Sequence, residues 1–331
     1  MNIIRRLLGH KVPPSSTSQE AQPELAEESA EPQTISIPGV GTEITVETPS
    51  DTAALGVTRQ LPNLETALSR PNQHIAYGHG TDVGQVRTNN QDAILTFFAS
   101  QGNADSIPDF GLFIVADGMG GHHHGEKAAT IATQILAEQV TRQIFLPMLT
   151  PRYEEIYSGP SFLTEILTKA VRASSDIVSK HVPEGGTTVT AAVVIGDLVH
   201  IVHVGDSRAY LITREYGIEQ ITRDHSLVQR LIELDQLTPE EAALHPQKNV
   251  LYRAIGQSDN LEVDAVTRRL PADSYLLLCS DGLWNTVPET VVHRIILDSE
   301  TPQHACDRLI ATANEHGGPD NISVILLHAP G

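Results

Sequence analysis

Cysteine is scarce: Cys279 and Cys306 are the only two in 331 residues. That excludes a disulfide framework, so a packed core must hold the fold, and a reducing, cytoplasmic compartment is the expectation. Aromatic residues make up only 4% of the chain and the formal net charge is -19. A nucleic-acid surface needs a basic face and stacking rings, so that class is excluded. No stretch reaches the roughly 18 apolar residues of a membrane span, and "MNIIRRLLGHK" is too short an apolar segment for a signal peptide, leaving at most a weak amphipathic anchor. Lys and Arg are missing between Lys11 and Arg59, where Pro, Ser, Thr and Glu accumulate without apolar periodicity. Such a composition cannot bury enough apolar surface to fold. Residues 1–70 are expected to be a disordered acidic extension and residues 71–331 a folded domain. The chain as a whole is 40% apolar, enough for a sizeable core.

The folded part reads as strands and helices in blocks. "HIAYGHGTDV", "DAILTFFA" and "FGLFIVAD" form successive strands, followed by a helix from Gly125 to about Met148, in which Ala132, Leu136, Val140 and Ile144 make one apolar stripe. A second helix runs from about Ser161 to Val182. In "TTVTAAVVIGDLVHIVHVGDSRAYLIT" the strands break at Gly196-Asp197, which suits a hairpin turn. "LVHIVHV" is apolar on both parities, so both of its faces are covered. Short helices in "HSLVQRLIELDQLTPEEAALHP", strands "DAVTRRL" and "SYLLLCS", helices at 289–297 and 302–315 and a last strand "ISVILLHA" complete the chain. Strands that cluster and pair as hairpins point to an α+β fold and not to a doubly wound parallel one.

Aspartates fall at the ends of these strands. "GLFIVADG" ends on Asp117, "VHIVHVGD" on Asp206 and "YLLLCSDG" on Asp281, while Asp320 in "GGPDNISVILL" precedes a strand. Because the end of one antiparallel strand lies beside the start of its neighbour, these carboxylates can share one rim. A single Asp-Gly is ordinarily only a turn. Several such carboxylates in one domain repel unless a cation neutralises them, and oxygen-only ligands suit Mg²⁺ or Mn²⁺. Gly118 then allows close backbone approach and can offer its carbonyl as a ligand.

Two other readings of "VADGMGGHHHGEKAA" fail on spacing. A phosphate-binding loop requires G-x-x-x-x-G-K-[ST], and here Gly120 and Gly125 are followed by Glu126, with Lys127 out of register. Three consecutive histidines, His122, His123 and His124, cannot all face one tetrahedral zinc.

"TDVGQVRTNNQDA", "VADGMGGHHHGEKAA", "GGTTVTAAVV", "HVGDSRAYLI", "ITRDHSLVQRLIELDQLTPEEAALHPQKNVLYRAIG", "CSDGLWNTV" and "GGPDNISVILL" occur in the order and spacing of the bacterial metal-dependent protein phosphatases of the protein phosphatase 2C type, and the chain resembles that family over roughly residues 74–328. The resemblance implies a four-layer α-β-β-α sandwich of two antiparallel sheets flanked by helices. It implies two or three Mn²⁺ or Mg²⁺ ions, with Asp117 bridging two of them and the Gly118 carbonyl on the second. Asp281 and Asp320 resemble the other ligands of the first ion, Asp92 the acid of the second, and Asp206 the residue serving a third. Arg87 matches the arginine that grips the substrate phosphate, and residues 224–256 resemble a flap beside the cleft.

The implied activity is hydrolysis of phosphoserine and phosphothreonine in proteins by direct attack of a metal-bridging water, in a monomeric, cytoplasmic signalling enzyme whose substrates come from a serine/threonine kinase. His122 is the candidate proton donor to the leaving alkoxide, the alternative being a solvent-exposed loop histidine. Gln91 and Asn285 stand where family members often carry acids, which removes negative charge near the metals. Two other classes are a metal-binding pseudophosphatase that only binds phosphoproteins, opposed by Asp117, Asp281 and Asp320, and a small-molecule phosphomonoesterase, opposed by the long flap. A chain beginning at Pro71 is expected to fold and to retain its turnover on a phosphopeptide; a truncated protein that folds but loses most of that turnover overturns the division at residue 70.

Overall fold

The computed structural model describes residues 74–100, 108–120, 124–150, 160–257, 260–329 and 331. The expected N-terminal extension lies outside them.

The chain begins with three strands, β1 (Ala76–Asp82), β2 (Ala93–Ala99) and β3 (Phe110–Ala116), and a two-residue strand β4 (Gly118–Met119). Helix α1 (His124–Val140) follows and carries on through a wide turn (Thr141–Phe145), in which the Leu146 N–H donates to the Thr141 carbonyl, into Leu146–Met148. Helix α2 (Pro160–His181) leads into the short β5 (Gly186–Thr187) and then β6 (Val189–Ile195), β7 (Leu198–Val204), β8 (Arg208–Thr213) and β9 (Gly217–Gln220). Two small helices, α3 (Leu227–Glu233) and α4 (Pro239–Ala243), precede β10 (Asp264–Arg269) and β11 (Tyr275–Cys279). Helices α5 (Asp281–Trp284), α6 (Glu289–Leu297) and α7 (Pro302–Glu315) lead to the final strand β12 (Ile322–His328).

The strands form two five-stranded sheets, ordered β1-β12-β11-β8-β9 and β10-β7-β6-β3-β2, and every pairing in them is antiparallel. The alternation of side chains along each strand divides the core into three apolar layers. In β3, Phe110, Leu112, Ile114 and Ala116 pack with α1 and α2, whereas Phe113 and Val115 meet Leu278, Ile325 and Leu327 between the sheets. On the far side Leu277, Cys279, Val324 and Leu326 pack under α6 and α7. The result is the expected four-layer α-β-β-α sandwich. The stripe of α1 is fully buried at Ala132, Leu136, Val140 and Ile144, and all seven residues of β7 are buried, as expected of a strand covered on both faces. Gly196 turns the β6–β7 hairpin at φ 60.

The sequence reading does not anticipate α5 or β9. In α5 the Asp281–Trp284 segment is a single helical turn begun directly at a strand end, too short to show a period. Strand β9 is four residues long and half exposed, with no run of apolar residues to announce it.

Sheet register decides where the acids stand. Ala93 pairs with Ala116, which sets Asp92 and Asp117 side by side at one end of their sheet. Cys279 pairs with Val324, so the segments carrying Asp281 and Asp320 leave the same end of the other sheet. Strands β3 and β7 both run antiparallel to β6, which sends Asp206 to the end where Asp117 stands.

Candidate active site

The rim at that end gathers Asp92, Asp117, Asp206, Asp281 and Asp320 within mutual electrostatic reach. Asp117 hydrogen-bonds through its carboxyl to that of Asp281. Asp92, Asp117, Asp206 and Asp281 are largely enclosed by protein, so desolvation, reinforced by the neighbouring acids, favours their protonated forms. Asp281 is pushed up to about 6, Asp92 to about 7 and Asp206 to about 8, and Asp117 stands well above the usual carboxylate range.

Neutral donors hold the acids in place. The Asp117 N–H donates to Thr188 Oγ1 at 2.9 Å, the Asp117 carbonyl accepts from the Thr188 N–H at 2.8 Å, and Thr187 Oγ1 donates to the same carbonyl at 2.9 Å. Ser280 Oγ donates to Asp92 Oδ2 at 2.7 Å. Asn321 organises the loop between β1 and β2: its Nδ2 donates to the carbonyls of Val83 and Asn89 at 2.9 and 3.0 Å, and its Oδ1 accepts from the Gln91 N–H at 2.8 Å. This loop carries Arg87, whose Nη2 donates to Asp320 Oδ2 at 2.7 Å while the side chain stays about half exposed, 49%.

Gly118 sits where the start of α1 presses on the loop before β2; a Cβ there would collide with the carbonyl oxygens of Gly125 and Gln91. The glycine at 118 is therefore required by backbone packing. Gln91 explains its own departure from an acid at that position. Its Nε2 donates to the Gly120 carbonyl at 3.2 Å, which a carboxylate cannot do. Asn285 ends α5 with its N–H on the Asp281 carbonyl at 2.9 Å, its side chain exposed. Asp206 is buried, and its carbonyl accepts from Trp284 Nε1 at 3.0 Å. Behind it Arg208 makes a bidentate pair with Asp224 and lies 3.6 Å over the Trp284 ring.

These residues fit divalent cations. The donors are all oxygens, two of them, Asp92 Oδ1 and Asp281 Oδ1, are buried with no hydrogen-bond partner, and the acids raise one another's pKa, which a cation would reverse. Among the described residues no three His, Cys, Asp or Glu side chains form a finished metal cage. The acids are gathered by the two sheets but not closed on one point.

The structure thus brings together Arg87, Asp92, Asp117, Gly118, Asp206, Asp281 and Asp320. His122 and His123 lie outside the described residues; His124 is described as the first residue of α1, with Nδ1 3.9 Å from Glu184 Oε2. The supporting hydroxyls and amide, Thr187, Thr188, Ser280 and Asn321, were missed as site residues. Ser280 and Asn321 adjoin Asp281 and Asp320 in sequence, whereas Thr187 and Thr188 lie in a motif without an acid, and only burial beside the acids marks the four.

Fold and rim define a class, the two-sheet phosphatases built around a carboxylate centre. The chain belongs to the protein phosphatase 2C family, whose sequence profile matches residues 79–308. It is 38% identical over 248 residues to the serine/threonine phosphatase stp of Listeria monocytogenes, covering 75% of this chain and 93% of that protein. The S. agalactiae serine/threonine phosphatase superposes with a TM-score of 0.67 at 32% identity over 77% of this chain and all of that one. The catalytic domain of the serine/threonine protein phosphatase PstP, solved in complex with two manganese ions, gives a TM-score of 0.61 at 31% identity, covering 78% of this chain and 99% of that domain.

The raised carboxyl pKa values make the metal-free protein pH-sensitive in a definite direction. A folded-state pKa above the unfolded value means that the folded state holds the extra proton, so stability falls as pH rises from the unfolded pKa to the folded one. The buried His200 and His203 are lowered to about 4 and about 3 and act oppositely, but below neutral pH. Between pH 7 and 8.5 the acids therefore dominate. In EDTA, the melting temperature is expected to be lower at pH 8.5 than at pH 7, Asp206→Asn should shrink that difference, and saturating Mg²⁺ should raise the melting temperature more at the higher pH. A metal-free protein that melts higher at pH 8.5 contradicts the assignment.

Proposed function

We propose that this chain is a metal-dependent protein serine/threonine phosphatase whose activity centre is the aspartate rim. The observation that carries the reading is five carboxylates, supplied by both sheets and gathered at one end of them, four of which, Asp92, Asp117, Asp206 and Asp281, are destabilised when ionised. Asp117, Asp92, the Gly118 carbonyl, Asp281 and Asp320 would hold the catalytic ions, with Asp117 shared between them, and Asp206 would hold a further one. Mn²⁺ or Mg²⁺, two or three ions, suit this donor set. Bound there, such cations neutralise the acids and supply a water acidic enough to act as nucleophile on phosphorus.

The chain's own residues then bind, orient and protonate. Arg87 is a planar guanidinium held at the cleft mouth by Asp320 and half exposed, with donors to spare for phosphoryl oxygens. At a net charge of -19 the protein repels phosphoproteins at long range, so a local cation at the mouth is needed for capture. His122 is the proposed donor of a proton to the departing serine or threonine oxygen. The flap suits a polypeptide substrate: of its side chains, Leu234, Leu244, Val250 and Tyr252 are exposed and offer apolar area against which peptide residues can pack. Substrates made by a serine/threonine kinase, a cytoplasmic setting, a monomeric state and a dispensable segment 1–70 complete the reading. Among the described residues, no helix is long and apolar enough to cross a membrane.

Phosphate release from phosphoserine, phosphothreonine and phosphotyrosine peptides is expected to require Mn²⁺ or Mg²⁺ and to favour the first two. Asp117→Asn and Asp281→Asn should each abolish it. Full activity of Asp117→Asn, or undiminished activity in excess EDTA, sinks the reading.

The role of His122 is tested by leaving-group dependence. A serine alkoxide is a poor leaving group that needs a proton, whereas nitrophenolate departs unassisted, and general acid catalysis is worth about 10²- to 10⁴-fold where it is required. His122→Ala should slow phosphopeptide hydrolysis far more than nitrophenyl phosphate hydrolysis, and Arg87→Ala should slow both. Equal losses in His122→Ala assign the proton to another group.

A further inference from the structure

We propose that His225, at the root of the flap, is a positioning residue that sets where the Asp206 carboxylate stands by clamping the Gly205 peptide from both sides. The inference rests on the reading of Asp206 as a metal ligand.

Gly205 immediately precedes Asp206 and has φ 112, a conformation open to glycine but strained for other residues, so rotation about its bonds would swing the Asp206 side chain. His225 engages both polar groups of this residue. The Gly205 N–H donates to His225 Nδ1 at 3.1 Å, and the His225 N–H donates to the Gly205 carbonyl at 2.7 Å. On its other side Gly205 presses on Thr188, where a Cβ at 205 would collide with the threonine side chain. Thr188 is the residue whose hydroxyl accepts from the Asp117 N–H. The clamp therefore reaches the backbone at two of the acids.

The ring chemistry is consistent with one tautomer. An N–H can be accepted only by a bare ring nitrogen, so Nδ1 carries no proton and Nε2 does. Nε2 lies 3.2 Å from Asp264 Oδ2, an acceptor suited to that proton; Arg253 Nη1 lies slightly farther from Nε2, at 3.3 Å, and as a donor is directed to Asp264 Oδ1 at 3.0 Å. The ring is buried between His203 and Tyr252, with centroids 4.9 and 5.7 Å away. The same residue closes the flap: its carbonyl accepts from the Tyr252 N–H at 2.9 Å, joining the start of the flap to its end. Flap docking and the Asp206 turn thus share one histidine.

Two substitutions separate the two ring contacts. Asparagine at 225 can place its Oδ1 near the position of Nδ1 and keep an acceptor for Gly205, losing Asp264. Glutamine reaches toward Asp264 and leaves the Gly205 N–H without an acceptor. Mn²⁺ binding, followed by the electron paramagnetic resonance of the free ion, would be measured on the wild-type protein, Asp206→Asn, His225→Gln, His225→Asn and the double variant Asp206→Asn/His225→Gln, with circular dichroism melts to establish folding.

The expected result is that Asp206→Asn and His225→Gln each weaken the weakest Mn²⁺ site by about 10-fold or more, as loss of an outer-shell partner does. His225→Asn should bind as the wild type does, and the double variant should lose no more than Asp206→Asn alone. Weakening by Asp206→Asn without weakening by His225→Gln overturns the inference and leaves the ligand reading intact. Equal weakening by the glutamine and asparagine variants overturns it as well, because the histidine is then only packing. Unchanged binding in Asp206→Asn overturns the ligand reading and the inference together. Should the glutamine variant not fold, His225→Ala, which also removes the acceptor, takes its place: weakening by alanine with wild-type affinity in the asparagine variant sustains the inference, and equal affinity of the two variants overturns it.

Discussion

Negative charge packed into one end of the sandwich has to be held there against its own repulsion, and much of the surrounding structure follows from that requirement. Asp92 and Asp281 sit close enough to Asp117 to favour its protonation, and Asp281 does the same to Asp92, with burial the larger cause in both. What fixes them is a set of neutral hydrogen-bonding groups that cannot be lost to titration: Thr188 and Thr187 on the Asp117 backbone, Ser280 on the Asp92 carboxyl and Asn321 on the loop bearing Arg87. Backbone ladders on both sides supply the stiffness. An arrangement of this kind is unfavourable alone and favourable around a cation, which is the condition for a site that binds metal tightly without being filled by its own side chains.

The flap is rooted in the same neighbourhood. Thr187 hydrogen-bonds to the Asp117 carbonyl and also forms a two-way bridge with Ile255 near the flap's end, with N···O distances of 3.2 and 2.8 Å. Asp224, at the flap's beginning, holds Arg208 in a bidentate pair beneath Trp284, and Trp284 in turn donates to the Asp206 carbonyl. The flap is thereby anchored through residues that also touch the acids. Flap and rim are built on one set of supports.

Charge sets a second condition. With a net charge of -19, the protein offers a phosphoprotein little long-range attraction, and capture depends on cations inside the cleft. Arg87 is one, and its pairing with Asp320 keeps it at the mouth. On the proposed reading, cations held by the acids would supply the rest, and metal loading and substrate capture would be linked by electrostatics as well as by chemistry.

Much of the fold was legible from pattern alone. The stripe of α1, the doubly apolar β7, the turn at Gly196 and the aspartates at strand ends are local features, and local features survive in a linear sequence because side-chain periodicity reports which faces are buried. Seven ordered motifs also carried the family. Pairing was another matter. That Ala93 stands opposite Ala116 and Cys279 opposite Val324 joins residues distant along the chain, and a shift of one position would have sent Asp92 or Asp281 to another face. The supporting roles of Thr188, Asn321 and His225 were equally hidden, since serine, threonine, asparagine and histidine at such places read as turns or solvated loops until burial shows what they bond. Composition and period determined which elements form and which acids end them; the packing of two sheets determined that those acids face one another, because only three-dimensional register brings strand ends from distant segments to a common rim.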